Sequence, residues 1–174
     1  MHQFALFDTV LGRCAVTWGP RGIAGVQLPG SGDARTRVRV ARAHPGATGA
    51  EPPPAIADAI ARMVRLLDGE PDDLATVPLD LDGVPPFDRR VLDVTRAIPP
   101  GATLSYGEVA ARVGEPRAAQ AVGRALGHNP VPIVVPCHRV VAADGRLTGF
   151  SAPGGLDTKR RMLEIEGALA PALF

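Results

Sequence analysis

Residues 105–126 are SYGEVAARVGEPRAAQAVGRAL, and this stretch constrains the fold more than any other part of the chain. Ser105 is a favourable helix N-cap, and Glu108 three residues later completes a capping box, which predicts a helix over Ser105–Val113. The Gly-Glu-Pro triplet that follows predicts a turn, and Arg117–Leu126 predicts a second helix. Two helices joined by a glycine-containing turn are the outline of a helix-turn-helix. Helical hairpins that only pack against a core share this outline, so both interpretations stay open.

The second of these helices has almost no side-chain bulk on one face. A helix that packs only against its own core is expected to carry more leucine or isoleucine. Small side chains instead let a backbone come very near another surface. A DNA groove is one such surface, and a closely packed neighbouring helix is the alternative. The small residues are Ala118, Ala119, Ala121, Gly123 and Ala125.

The remaining sequence divides near Val84 into two parts of different character. The first part has short apolar runs separated by glycine and proline, followed by an amphipathic helix over Ala55–Leu67. Its predicted strands are Phe4–Phe7, Arg13–Trp18, Gly22–Leu28 and Val77–Leu81, with a loop over residues 30–54. After Val84 helical spacing dominates, beginning with Phe87–Ile98. We therefore predict an α/β N-terminal domain, a small sheet plus a helix, over residues 1–84. A mainly α C-terminal domain with the helix-turn-helix is predicted over residues 85–174.

Composition is that of an ordinary globular protein. Of 174 residues, 45% are hydrophobic and 21% charged, and no uncharged apolar stretch is long enough to cross a bilayer. The N-terminus lacks the basic start and apolar run of a signal peptide, so we expect a cytoplasmic protein that does not bind membranes. Residues 1–85 hold eight Arg and ten Asp or Glu, whereas residues 86–174 hold eleven Lys or Arg and eight Asp or Glu. The mildly basic second half permits phosphate contact without requiring it.

Two cysteines, Cys14 and Cys137, are far apart, which in an intracellular protein makes a disulfide a poor prospect. The histidines and cysteines have no zinc-ligand spacing, so we expect no metal and no other cofactor. Cys14 lies among strand residues and is interpreted as a small buried hydrophobe.

The chemically distinctive run is Asn129–Val140, NPVPIVVPCHRV. Its apolar residues and prolines deliver the Cys137 thiol into a dry, rigid setting, next to His138 and Arg139. A cysteine reacts as the thiolate, and a nearby histidine lowers its pKa or takes its proton. Because adjacent side chains of an extended segment point in opposite directions, a bridging water is expected between Cys137 and His138. A buried structural cysteine beside a surface histidine is the alternative.

The run Pro136-Cys137-His138-Arg139-Val140 resembles the active-site signature of the O6-alkylguanine-DNA alkyltransferases, also called methylated-DNA–protein-cysteine methyltransferases. Four further motifs resemble that family's C-terminal domain and occur in the family's order. They are Ser105-Tyr106-Gly107, Ala121-Val122-Gly123, Gly127-His128-Asn129-Pro130 and Glu164-Ile165-Glu166-Gly167. The similarity extends from Phe87 to Gly167, and the first 85 residues resemble the family's divergent N-terminal α/β domain.

The resemblance implies direct DNA repair, with a role for each matched residue. Cys137 is implied as the acceptor of the alkyl group, His138 as the base that takes its proton through water, and Glu166 as the residue that orients this histidine. We accordingly expect the pKa of the thiol to fall below its free value of about 8.5. Asn129 is implied to tie the two helical elements to the turn before the active-site strand. Tyr106 is implied to crowd the target's phosphate and to hydrogen-bond the flipped base. The implied guanine pocket consists of Pro132, the backbone of Val140, Phe150 and Ser151.

The resemblance also implies how DNA is bound. The second helix enters the minor groove of double-stranded DNA that contains O6-alkylguanine, and the target nucleotide is turned out into the pocket. The implied DNA contacts are Tyr106, Arg117, Ala119, Gln120 and Arg124. The protein is expected to be a monomer. Because the product is a thioether, which offers no carbonyl to water, each molecule is expected to repair one lesion.

The sequence departs from the family pattern at three places. Gln120 stands where the best-known members have an arginine that fills the gap left by the flipped base. Glutamine can hydrogen-bond the orphaned cytosine but lacks the cation and some of the reach. Phe150 replaces the usual tyrosine, which keeps the pocket wall aromatic and removes a hydroxyl. Ala152-Pro153 lengthens the pocket loop and alters which alkyl groups fit.

Two other classes of function compete with alkyl transfer. A non-reactive lesion-binding module would bind alkylated DNA without accepting the alkyl group. The presence of Cys137 argues against this alternative, but Gln120 in place of the family's arginine leaves it open. A cysteine hydrolase acting on acyl bonds is the second, disfavoured by the Cys-His adjacency and by the missing oxyanion-hole motif.

Overall fold

The computed structural model describes residues 1–150, 152 and 154–170. Its first part is a four-stranded sheet in the order β3-β2-β1-β4. The strands are β1 (Gln3–Thr9), β2 (Gly12–Gly19), β3 (Gly22–Gln27) and β4 (Thr48–Gly49). Strands β1, β2 and β3 pair antiparallel, whereas β4 pairs parallel with β1, so the sheet is mixed. The first three predicted strands are confirmed, with slightly different ends.

Two helices pack on this sheet. Helix α1 (Asp33–Ala43) contacts β2 and β3, and helix α2 (Pro54–Leu67) contacts β1. Helix α2 matches the predicted amphipathic helix. Its buried residues are Ile56, Ala59, Met63, Leu66 and Leu67.

The predicted loop over residues 30–54 is wrong, because α1 and β4 lie within it. Helix α1 was hidden because it buries only Thr36 and Val40, one turn apart, and its other residues are mostly arginine and alanine. Such a helix has no apolar stripe for sequence analysis to detect, although arginine and alanine are good helix formers.

The predicted strand Val77–Leu81 is also wrong. This segment runs beside β3 but forms only an isolated bridge between Ile23 and Leu79. Ile23 bonds to both neighbours of Leu79, donating to the Pro78 carbonyl and accepting from the Asp80 amide. Pro78 has no amide hydrogen, so a continuous ladder cannot form there.

The second part of the chain is mainly helical. Its helices are α3 (Pro86–Arg96), α4 (Tyr106–Arg112), α5 (Ala119–Gly127) and α6 (Gly155–Ile165). A two-stranded parallel sheet joins β5 (Leu104–Ser105) to β6 (Val140–Val141), and a 3-10 turn spans Cys137–Arg139. No helix of the described residues is long and apolar enough to cross a membrane.

The capping box at the start of α4 is confirmed in both directions. The Glu108 amide donates to Ser105 Oγ at 3.0 Å, and the Ser105 amide donates to Glu108 Oε1 at 3.1 Å. The start of α5 differs from the prediction. It begins at Ala119 and not at Arg117, because a turn closed by a bond from the Ala118 amide to the Glu115 carbonyl precedes it.

Two hydrophobic cores meet along α3 and the run before Cys137. The first core holds residues of the sheet and α2 together with Leu92, Val131, Val135 and Met162 from the second part of the chain. The second core lies among α3, α4 and α5 and contains Cys137. The first core therefore crosses the boundary near residue 84, while the division into two domains stays a prediction.

Because the first core is shared, we expect the sheet and the helices to unfold together. Leu92→Ala removes a side chain that is 1% exposed and is expected to cost about 2–5 kcal/mol. Urea unfolding would be followed by fluorescence of Trp18, the single tryptophan, and by far-UV circular dichroism of the helices. The urea midpoints from the two probes should coincide in the wild type, and both should fall by the same amount in Leu92→Ala.

Val38→Ala, at a site 55% exposed, is the control and should change stability by at most about 0.5 kcal/mol. A Leu92→Ala shift seen in the helices but not at Trp18 would contradict the shared core.

Candidate active site

Cys137 lines a cavity of about 360 Å³ between the two parts of the chain. Its side chain is nearly buried, at 9% exposure, so the thiol meets solvent only through this cavity. Four of the predicted site residues line the same cavity: Tyr106, Asn129, Pro132 and Phe150. The first part of the chain adds Val26, Gln27 and Leu28 of β3 and its extension, and Arg39 of α1. Sequence analysis had assigned no site residue to that part.

Asn129 fixes the loop that leads to the cysteine. Its Nδ2 donates to the Val135 carbonyl at 2.9 Å, and its Oδ1 accepts from the Val131 amide at 3.0 Å. The same side chain lies close enough to the Cys137 thiol to lower its pKa. One amide group therefore sets the geometry of the loop that leads to the cysteine.

The loop is also strained and anchored to the sheet. Ile133 has φ of +75°, which a β-branched residue rarely adopts, although it is 1% exposed. Such strain costs of order 1–3 kcal/mol and persists only where the surroundings enforce it. The Val26 amide of β3 donates to the Pro130 carbonyl at 2.9 Å, which ties the loop to the first part of the chain.

The expectation of an extended chain at Cys137 is wrong. Residues Cys137–Arg139 form a 3-10 turn in which all three side chains are buried, and strand β6 begins only at Val140. Val140 pairs with Leu104, which brings the cysteine turn next to the start of α4 and to Tyr106.

Glu166 forms hydrogen bonds with the side chains of both residues that follow Cys137. His138 Nε2 lies 3.0 Å from both carboxylate oxygens. Arg139 donates from Nε at 2.8 Å and from Nη2 at 2.6 Å to the same carboxylate, and from Nη1 to the Ile98 carbonyl at 2.6 Å. The three side chains are 1–2% exposed. The guanidinium of Arg139, expected from the sequence to act as a charge beside the thiol, is instead bound to Glu166.

This arrangement sets the protonation of His138. Burial alone would raise the pKa of the Glu166 carboxyl, but the hydrogen bonds from Arg139 and His138 outweigh it and lower the pKa to about 2. Burial lowers the pKa of His138 below its ordinary 6.5, although Glu166 opposes the shift. His138 is therefore neutral at pH 7 and donates from Nε2 to Glu166, which leaves Nδ1 as an acceptor. Nδ1 is buried and has no hydrogen-bond partner among the described residues.

The expected low pKa of the Cys137 thiol is wrong in direction. Burial raises this pKa, and the hydrogen bond with Asn129 and the positive charge of Lys159 offset only part of the rise. The resting site therefore holds a thiol, and a base would have to remove its proton before the sulfur could act as a nucleophile. Cys14 is also buried, but it lies among apolar residues of the first core. Burial raises the pKa of its thiol to about 11, as expected for a structural cysteine.

Lys159 is a site residue that sequence analysis missed. Its buried Nζ donates to the carbonyls of Val140 at 2.7 Å and Thr148 at 2.9 Å, and to the Tyr106 hydroxyl at 3.4 Å. Three acceptors match the three hydrogens of an ammonium. The available signal was that Lys159 is the single lysine among 19 basic residues. Burial lowers its pKa to about 8.

An open groove of about 550 Å³ adjoins the cavity. It is lined by the α5 residues Ala119, Gln120, Gly123 and Arg124, and by Tyr106, Thr148 and Gly149. Tyr106 and Gly149 line both spaces, so the groove leads to the cysteine. Tyr106 donates its hydroxyl hydrogen to the Thr148 carbonyl at 2.9 Å.

Four residues named from the sequence lie elsewhere or cannot be placed. Arg117 is exposed in the turn before α5. The Val140 backbone contributes its carbonyl to Lys159 and is buried. Ser151, predicted to meet O6 of the base, and Pro153 of the lengthened loop lie outside the described residues.

Comparison with known proteins agrees with this geometry. The family model described as "6-O-methylguanine DNA methyltransferase, DNA binding domain" matches residues 86–168. The methylated-DNA–protein-cysteine methyltransferase of Mycobacterium bovis is 42% identical over 153 residues, which cover 86% of this chain and 90% of the relative. The methyltransferase of Methanothermobacter thermautotrophicus is 46% identical over 117 residues, which cover 67% of this chain and 64% of the relative.

Solved structures have the same fold. The crystal structure of Mycobacterium tuberculosis O6-methylguanine methyltransferase matches with a TM-score of 0.76 and 33% identity, covering 99% of this chain and 96% of the other. The structure of Mycobacterium tuberculosis OGT in complex with DNA matches with a TM-score of 0.76 and 31% identity, covering 98% and 96%. With the sequence identity extending over most of both chains, the protein belongs to the methylated-DNA–protein-cysteine methyltransferase family.

Proposed function

We propose that this chain repairs DNA by transferring an alkyl group from O6 of guanine to Sγ of Cys137, once per molecule. The observation that carries the proposal is the position of Cys137: it lines a cavity reached from the α5 groove, with a neutral histidine held by Glu166 next in sequence. The relatives' names, which describe a methyltransferase acting from methylated DNA to a protein cysteine, support it.

The proton of the thiol goes to His138. Nδ1 is the ring nitrogen left free to accept it, directly or through one water, and the Glu166 carboxylate stabilises the imidazolium that forms. The thiolate then attacks the alkyl carbon in line with the C–O6 bond. A C–S bond forms, the C–O6 bond breaks, and its electron pair stays on guanine. Guanine takes up one proton from solvent and the imidazolium of His138 releases the thiol proton to solvent, so no proton is gained or lost overall. The Tyr106 hydroxyl, which donates to the Thr148 carbonyl in the resting site, turns to hydrogen-bond the base and supports this departure.

The Cys137 product is a thioether, so the reaction stops after one turnover. Asn129 holds the thiol and its loop in place, and Pro132, Phe150, Ser151 and the Val140 backbone form the guanine pocket. Lys159 positions this pocket by tying Val140 to the segment at Thr148.

DNA is bound by α4 and α5 acting as a helix-turn-helix, with α5 in the minor groove. The small side chains of α5 allow close approach, Gln120 occupies the space of the flipped base, and Arg117 and Arg124 meet phosphates. The division into an N-terminal domain of residues 1–84 and a C-terminal domain of residues 85–174 is supported by the family model, which starts at residue 86. The protein is proposed to act as a monomer.

Transfer is tested by intact-protein mass spectrometry after incubation with duplex DNA that contains O6-methylguanine. The wild type should gain the mass of one methyl group and no more, because one sulfur accepts it. Cys137→Ser should gain none. Cys14→Ala is the matched control and should react like the wild type, since Cys14 is fully buried.

An unchanged mass with bound DNA would support a lesion-binding module instead. Released product with an unchanged protein mass would support a hydrolase. Either outcome contradicts alkyl transfer.

The groove is tested with two α5 variants. Ala119→Leu adds bulk where the backbone must approach DNA, so duplex binding should weaken roughly 10-fold or more while reaction with free O6-benzylguanine barely changes. Gln120→Arg supplies a longer, charged side chain and should speed repair of duplex DNA, again with little effect on the free base. Single-turnover rates on both substrates measure this.

Ala41→Leu, on exposed α1 outside the groove, is the control for added bulk. If Ala119→Leu binds and repairs duplex DNA normally, α5 is not the element that enters the groove.

A further inference from the structure

Helix α1 concentrates the positive charge of the first part of the chain. Residues 1–85 contain eight arginines, and half of them lie within this one helix. The arginines of α1 are Arg35, Arg37, Arg39 and Arg42. Because residues 1–85 also hold ten Asp or Glu, a cationic helix is set in an otherwise acidic part of the molecule.

The arginines of α1 lack the counter-ions that the other four arginines have. Those four each form an ion pair with an aspartate or a glutamate; they are Arg13, Arg21, Arg62 and Arg65. Within residues 1–150, 152 and 154–170, no carboxylate forms an ion pair with an arginine of α1. Asp33 of the same helix is paired with Arg13 instead. The charge of α1 is therefore left for solvent or a ligand to neutralise.

Three of these arginines follow one another along one side of α1, and we call them the arginine row. Arg35 and Arg39 are four residues apart, and Arg39 and Arg42 are three residues apart, so their side chains are neighbours on the helix surface. Like charges at this spacing destabilise a helix. Helix α1 also buries only Thr36 and Val40. Neither helix stability nor packing therefore accounts for the row.

The arginine row reaches the cavity of Cys137. Its middle member, Arg39, lines that cavity, while Arg35 and Arg42 are exposed. Tyr106 and Gly149 line the same cavity and also the groove of α5. The row and the groove therefore border one common space.

Neutral oxygens hold Arg39 in the cavity wall. Its Nη2 donates to the Leu28 carbonyl at 2.7 Å, and its Nη1 donates to Gln27 Oε1 at 3.3 Å. Burial lowers the pKa of Arg39, as expected for a cation that has lost part of its hydration without gaining a counter-ion. A phosphate beside the cavity would supply the missing negative charge.

We propose that the arginine row is a second DNA-binding surface, which binds backbone phosphates of the duplex beside the lesion while α5 occupies the groove. The inference rests on the proposed function and extends its DNA interface to the first part of the chain. A nucleotide that enters the cavity brings its own strand to the cavity mouth, next to Arg39. The row is about 10 Å long, and duplex DNA carries one negative charge per about 1.7 Å of its axis, so several phosphates lie within its reach.

The first test is the salt dependence of binding to a duplex with one O6-methylguanine. Fluorescence anisotropy would be measured in the Cys137→Ser background, so that no alkyl transfer intervenes. Each phosphate contact contributes about 0.9 to the slope of log Kd against log salt concentration. Arg35→Gln combined with Arg42→Gln should therefore lower this slope by about 1.8 and weaken binding roughly tenfold at physiological salt.

Arg21→Gln combined with Arg65→Gln is the matched control. It removes the same net charge from the same part of the chain, but both of these arginines are already neutralised by carboxylates. The control should leave the slope unchanged.

The second test is hydroxyl-radical footprinting of the same duplex. The arginine row should protect backbone beside the lesion, outside the segment that α5 protects. Arg35→Gln with Arg42→Gln should lose the outer protection and keep that of α5. With Cys137 restored, this double variant should react with free O6-benzylguanine at the wild-type rate, because that reaction needs no duplex.

Arg35→Lys combined with Arg42→Lys keeps both charges and should keep the wild-type slope and footprint. This variant decides the matter if the glutamine pair disturbs the fold, since a loss of slope with both charges present would contradict the proposal.

The proposal is overturned if the glutamine pair leaves the slope and the footprint unchanged. It is also overturned if the control pair lowers the slope equally, because net charge alone would then explain the effect. A wild type that shows both protected segments but transfers no methyl group would instead contradict the proposed function.

Discussion

Glu166 is a buried carboxylate at the C-terminal end of α6, where the helix dipole disfavours a negative charge. Two partners more than offset this cost. Arg139 binds both of its oxygens and His138 lies 3.0 Å from each. Because both partners directly follow Cys137, this one carboxylate fixes the turn that presents the thiol. It also selects the histidine tautomer that leaves Nδ1 free to take a proton. Removing either side of the Arg139–Glu166 pair would leave an unpaired buried charge, which typically costs about 3–5 kcal/mol.

The rest of the site is built around that turn from both parts of the chain. Asn129 and the strained Ile133 shape the approach to the thiol, and β3 holds this loop through the bond from Val26 to Pro130. Lys159 closes the opposite side by joining Val140 to Thr148 and Tyr106. The sheet is therefore part of the cavity wall as well as support for it, and helix α1, which packs on the sheet, adds Arg39 to that wall.

The features that could be predicted from the sequence are those with distinctive local chemistry. The capping box at Ser105 and the run ending in Cys137 were recognisable because each depends on residues close together in the chain. The contact between His138 and Glu166, 28 residues apart, came only from the family resemblance. Helix α1 was not predicted because it buries so little apolar surface. The position of Arg39, which lies on this helix, was therefore not predicted either. The direction of the thiol pKa was wrong because burial, which no local pattern measures, outweighs the neighbouring charge.

The central claim is that His138, held by Glu166, takes the proton of a resting Cys137 thiol. The single-turnover rate of methyl transfer from duplex DNA, measured between pH 5 and pH 9, tests it most directly. The wild-type rate should fall as the pH drops through the pKa of His138, which lies below 6.5, because only the neutral imidazole accepts a proton. Glu166→Gln should lower the rate at pH 7 by roughly 10–100-fold, and Glu164→Gln on the same helix should not. A rate at pH 7 that is unaffected by Glu166→Gln would contradict the account.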